Sequence, residues 1–175
     1  MIDRDVIAFL DGRRVAVSIA SRSEHCIPSV TRALGYRISA DASEFAIFVP
    51  RQAERVLADL RTTAQAAVVF TEPSTHKSVQ VKGSDARITP LEEGDWPVIS
   101  AYADDLVAEI CPLGYAEPLI RILSPTLASS GSTFMLAAWT GVTRPRQNTR
   151  AKIIIITAYF ETFHIVKLFL RSLSR

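Results

Sequence analysis

The chain of 175 residues has little of what most enzymatic signatures require. It holds two cysteines, three histidines and seven glycines. Cys26 and Cys111 lie far apart and match no metal or dithiol spacing, so they read as reduced thiols of a cytoplasmic protein. There is no glycine-rich phosphate loop, nucleophile elbow, HExxH or CxxC. His25, His76 and His164 stand beside no recognisable serine or cysteine nucleophile, which leaves hydrolytic catalysis without visible machinery. His25 and Cys26 share a loop, but two ligands fall short of the four that zinc takes, and no metal is expected. The first residues, MIDRDVIAFLDGRR, carry acids from position 3 and lack the apolar core of a signal peptide, so secretion is not expected. No internal repeat is visible.

What is present is ordinary for a globular protein: 48% hydrophobic and 22% charged residues, long enough for one well-buried domain. The net charge of +2 is unevenly spread. From Val142 onward seven Lys/Arg face one acid, Glu161, for +6, which leaves −4 (2 minus 6) on the first 141 residues. The basic run TRPRQNTRAK lacks interleaved aromatics and the body is acidic, so a nucleic-acid partner is not expected.

Periodicity places the elements. Asp3 caps a short helix with Val6, Ile7, Phe9 and Leu10 on its apolar face. Val15–Ala20 reads as a strand, Ser29–Ser39 as a second and Glu44–Val49 as a third, closed by Pro50. Arg51–Arg61 is an amphipathic helix with Ala53, Val56, Leu57 and Leu60 inward. Ala66–Ile88 reads as two strands around a polar corner. Its first arm, Ala66–Thr71, is continuously apolar, as in a strand buried on both faces, and Glu72-Pro73-Ser74 breaks it. The second arm alternates, with Lys77, Val79, Val81 and Gly83 on one face and His76, Ser78, Gln80 and Lys82 on the other. Val98–Cys111 and Ala116–Leu123 read as helices and Thr133–Trp139 as a last strand. Trp96, Tyr102 and Tyr115 suit either core contacts or the cover of a ring-shaped ligand. In the final segment Glu161, His164 and Lys167 recur every three residues, which favours a packing or interfacial helix over a membrane span. The chain divides into 1–126, a domain with peripheral helices, and 127–175, an atypical extension made of a strand, a basic linker and an apolar helix.

PSTHKSVQVKG after a valine-rich strand resembles the flavin-binding strand of the pyridoxamine 5′-phosphate oxidase-like split-barrel family. PSVTRALGYRIS followed by FAIFVPRQAERVLADL resembles that family's earlier strands and crossing helix. The resemblance covers roughly Val6 to Ile88. It implies an antiparallel split β-barrel with flanking helices (mainly β, α+β), a homodimer, and FMN bound at the subunit interface. It implies a redox enzyme that takes electrons from a nicotinamide or deazaflavin donor. Thr31, Arg32 and Ala33 on one strand, with Ser74, Thr75, His76, Lys77 and Gln80 on the central arm, become the cofactor residues. Thr75, His76 and Lys77 are expected at the phosphate and ribityl end, Gln80 at the polar edge of the ring, and Arg32 at either. The family also includes haem-binding and cofactor-free members, so a binding or dimerisation scaffold is the alternative. No residue is assigned a catalytic role.

Overall fold

The computed structural model describes residues 4–10, 14–40, 43–123 and 135–140. Eight strands and four helices follow one another in it as α1 (Arg4–Leu10), β1 (Ala16–Arg22), β2 (Pro28–Arg32), β3 (Gly35–Ile38), β4 (Glu44–Val49), α2 (Glu54–Thr63), β5 (Ala66–Thr71), β6 (Ser78–Gly83), β7 (Ala86–Pro90), α3 (Trp96–Ile110), α4 (Glu117–Leu123) and β8 (Met135–Thr140). The strands form two four-stranded sheets, ordered β2-β1-β5-β6 and β3-β4-β8-β7. Every neighbouring pair is antiparallel. The architecture is α+β with flanking helices, as the sequence implies.

The core follows from alternation. Val15, Val17 and Ile19 of the β1 segment and Ala66, Val68 and Phe70 of β5 turn one way, because side chains alternate along a strand. They meet Phe45, Ile47 and Val49 of β4 and the α2 stripe Val56, Leu57 and Leu60. Each of the valine, leucine, isoleucine and phenylalanine side chains contributes about 1.5–3 kcal/mol when taken fully out of water. Helix α2 ends on Ala64, whose left-handed backbone (φ 54) lets its N–H donate to the Leu60 carbonyl. The opposite face of β4, Ala46 and Phe48, packs with Leu34 and with Ile99 of α3, flanked by Leu91, Trp96 and Val98. Helix α3 starts on Pro97 in its first turn, where no backbone donor is lost. It is joined to β3 by Asp95, 1% exposed, which accepts from Arg37 Nη1 at 2.9 Å.

Three strand expectations need correction. The segment Ser29–Ser39 is two strands in two sheets. Ala33 N–H donates to Val17 of β1 at 2.9 Å, and the next amide, Leu34 N–H, donates to Phe48 of β4 at 2.8 Å. The ladder partner changes there while the alternation runs on. Gly35 makes this possible: φ is +149°, and a Cβ would lie 3.3 Å from the Phe48 ring and 3.4 Å from Tyr102. The second arm of Ala66–Ile88 likewise breaks at Ser84–Asp85, sending β6 to one sheet and β7 to the other. Finally, Ala66–Thr71 is fully buried on one face only, with Ala67, Val69 and Thr71 half-buried on the other. The strand buried on both faces is β4.

The helices fall within a few residues of their expected positions, and the last strand is β8, between β4 and β7. The expected linker and apolar helix beyond it lie outside the described residues. Among the described residues, no helix is long and apolar enough to cross a membrane.

Candidate functional site

The outer face of the first sheet carries small side chains. β1 places Ala16, Ser18 and Ala20 there, and β5 places Ala67, Val69 and Thr71, all half-buried. β2 adds Val30 and Arg32 on one side, and β6 adds Ser78, Gln80 and Lys82 on the other. Register aligns one row across all four strands: Arg32 opposite Ser18, Ser18 opposite Val69, Val69 opposite Gln80. The row spans three inter-strand spacings, about 14 Å. Val30 is 72% exposed, and Ile27 in the adjoining hairpin is also exposed. The face is thus lined by short side chains, with an apolar margin at β2 and its hairpin.

The eight residues singled out in the sequence do not form one cluster. Arg32 and Gln80 share the face and the row, at opposite edges of the sheet. Arg32 is half-buried, and among the described residues its guanidinium has no carboxylate or hydrogen-bond partner. The Gln80 side-chain amide is similarly unbonded among the described residues. Thr31 pairs with Ile19 and so points to the inner side; its hydroxyl turns back to the Arg32 carbonyl at 3.4 Å. Ala33 is buried, and its amide is used by Val17.

Ser74, Thr75, His76 and Lys77 form the exposed loop between β5 and β6. That loop is closed by its own backbone: Glu72 N–H donates to Lys77 and His76 N–H to Glu72, with His76 in the left-handed region at φ 59. Its donors face acids. Thr75 hydroxyl donates to the Glu72 carboxylate, and Ser74 N–H donates to Glu109 of α3 at 3.2 Å. A phosphate placed at these two donors would displace or protonate a carboxylate. The hydroxyls of Thr71 and Ser78, 2.9 Å apart, bond each other where the loop joins the open face.

Tyr102 stands where β2 passes into β3. Its hydroxyl accepts from Val17 N–H at 3.0 Å, 85 residues away in sequence, and its ring packs edge-on to Tyr36 at 6.2 Å. Burial raises its phenol above the ordinary value of 10.0. The nearby positive charge of Arg32 and the bond from Val17 offset part of that rise. Of the three aromatics, Tyr102 is thus a core residue, Trp96 belongs to the packing under α3, and Tyr115 lies against the main core. None of them lines the small-residue face.

As a donor set, the face fits a planar, singly tethered anionic ligand better than it fits a metal. Alanine, serine and valine let a ring approach the sheet, Arg32 offers an unused fork for an anion, and Gln80 offers an amide for a polar ring edge. No cluster of three or more metal-ligating side chains occurs among the described residues. Sequence reasoning did not single out Ser18, Ala20, Ala67 or Val69. The signal was available as an alternation of small against large residues in two strands.

No family model matches the chain, and no curated protein matches it. Solved structures to which it is similar include HupZ of Group A Streptococcus, at 12% identity over 79% of this chain and 96% of that one, with a TM-score of 0.41. A pyridoxamine 5′-phosphate oxidase-related, FMN binding protein from Nostoc punctiforme is 13% identical over 79% and 80%, TM-score 0.45. HutZ, the haem storage protein of Vibrio cholerae, is 14% identical over 79% and 93%, TM-score 0.39. The structures similar to this chain thus include a relative of the family that its strand segment PSTHKSVQVKG resembles, alongside a protein named for haem.

Proposed function

We propose that the protein is a split-barrel flavoprotein that binds FMN on the outer face of its first sheet and acts as a homodimeric oxidoreductase. One observation carries the reading. A row of small side chains ends in an arginine at one edge and a glutamine amide at the other, neither with a hydrogen-bond or carboxylate partner among the described residues. In this reading Arg32 holds the phosphate through a charge-assisted fork, Gln80 bonds the polar edge of the ring, and Ser18, Ala20, Ala67 and Val69 form its floor. Lys77, exposed where the loop enters β6, supplies a cation on the Gln80 side of the face. When bound, FMN supplies the redox chemistry itself, and the residues of this chain bind and orient it. The exposed Val30 and Ile27 suit contact with a second subunit, which would bury the open side of the ring. The segment 127–175 is proposed as an extension that adds a strand to the second sheet.

The test is an absorption spectrum of the purified protein, followed by FMN titration read by quenching of flavin fluorescence. Saturable binding that Arg32→Ala weakens supports the reading. No flavin and no binding would refute it, and a Soret band would point to haem. The second reading, a cofactor-free dimerisation scaffold, is favoured by a different observation: Glu72 and Glu109 already occupy the hydroxyl and amide donors of the loop.

A further inference from the structure

Arg32 is the last residue of β2, and the three residues after it carry the chain from one sheet to the other. The amide of Ala33 is held by Val17, that of Leu34 by Phe48, and Gly35 lies against the Tyr102 side chain. Val17 therefore anchors the last rung before the switch. Its carbonyl accepts from Ala33, and its own N–H, free of the ladder beyond Ser18–Arg32, is taken by the Tyr102 hydroxyl at 3.0 Å. An unsatisfied buried amide is costly, so this bond holds the Val17 peptide in one orientation. A single phenol on α3 thus grips the corner through hydroxyl and ring together, immediately behind Arg32.

We infer that Tyr102 is a positioning residue for Arg32: by fixing the Val17 peptide and the Ala33–Gly35 crossing, it aims the guanidinium at the phosphate of a ligand on the open face. The inference rests on the flavin reading above. It predicts an effect concentrated at the phosphate end, because the corner adjoins Arg32 and the start of β1, whereas Ala67, Val69 and Gln80 stand on β5 and β6.

The experiment compares FMN with riboflavin, which has the same ring but no phosphate. Tyr102→Phe keeps the ring and removes only the hydroxyl. It should weaken FMN binding by about tenfold, leave riboflavin within about twofold, and add nothing to the loss in an Arg32→Ala background. Tyr36→Phe is the control, since Tyr36 lies in the same core and its hydroxyl donates to the Leu10 carbonyl at 3.1 Å, away from the β2–β3 crossing. It should leave the FMN-to-riboflavin ratio unchanged. Denaturation midpoints of both variants report folding. Equal losses for FMN and riboflavin, or additive losses with Arg32→Ala, would overturn the role of Tyr102 while leaving the flavin reading intact. A wild-type protein that binds neither flavin would overturn both.

Discussion

The two sheets differ most on the sides that face away from the shared core. Behind the second sheet, Ala46 and Phe48 of β4 are sealed by Leu34 and by Ile99 of α3, and Asp95 fastens the start of that helix to Arg37. Behind the first sheet, the equivalent positions are alanine, serine, valine and threonine, all half-buried. A covered face is built from large side chains that fill space, whereas an open one is built from small side chains that leave it. The face of small side chains therefore contributes less to stability. The covered face contributes most where α3 docks.

That contrast can be broken experimentally. Phe48→Ala should give the largest effect, about 3–5 kcal/mol lost in urea denaturation, because it opens a cavity between sheet and helix. Ala46→Phe and Ser18→Phe make a sharper pair. The first should overpack the covered side and cost about 1–3 kcal/mol, while the second should change stability by only about 0.5 kcal/mol and still abolish FMN binding. Equal destabilisation by both would show that the open face is not open. Arg32→Ala should cost about 1–3 kcal/mol in FMN affinity, read by fluorescence titration, with no shift in the denaturation midpoint. The smallest effect concerns pH. The Tyr102 phenol is raised in the folded state, so the unfolded chain loses its proton first as pH climbs past 10.0. Its contribution to stability is complete below that value and declines above it. Denaturation midpoints taken between about pH 9 and 11 should therefore fall less steeply in Tyr102→Phe than in the wild type.

The central strand β4 and the helices are legible in the sequence, since large apolar residues announce a side. Glu44–Val49 and the α2 stripe are found where the periodicity sets them, and the alternation of the second arm after Lys77 gives the correct outer face of β6. Ala66–Thr71 is harder, because Ala67 and Val69 are apolar enough to pass for core although they face outward. The switch between β2 and β3 is not legible. Hydrogen-bond partners change between residues 33 and 34, but the alternation that periodicity detects continues through them. The same alternation limits the site. Sequence adjacency groups Thr31 with Arg32, and the pleat sends them to opposite faces. The Glu72 bonds of the loop are local, but the contact of Ser74 N–H with Glu109 depends on α3, which no pattern of residues 72–77 contains.

The place of β8 has a consequence for how the protein is made. The first sheet is complete once residue 83 has been synthesised, whereas β4 and β7 stay apart until residues 135–140 pair between them. For more than fifty residues of synthesis, β4 has an unpaired edge on a strand whose last five residues are all destined for the interior. Such an edge is a template for intermolecular pairing. A nascent or truncated chain ending before residue 135 should thus depend on chaperones and deposit as aggregate, even though its first sheet can already form.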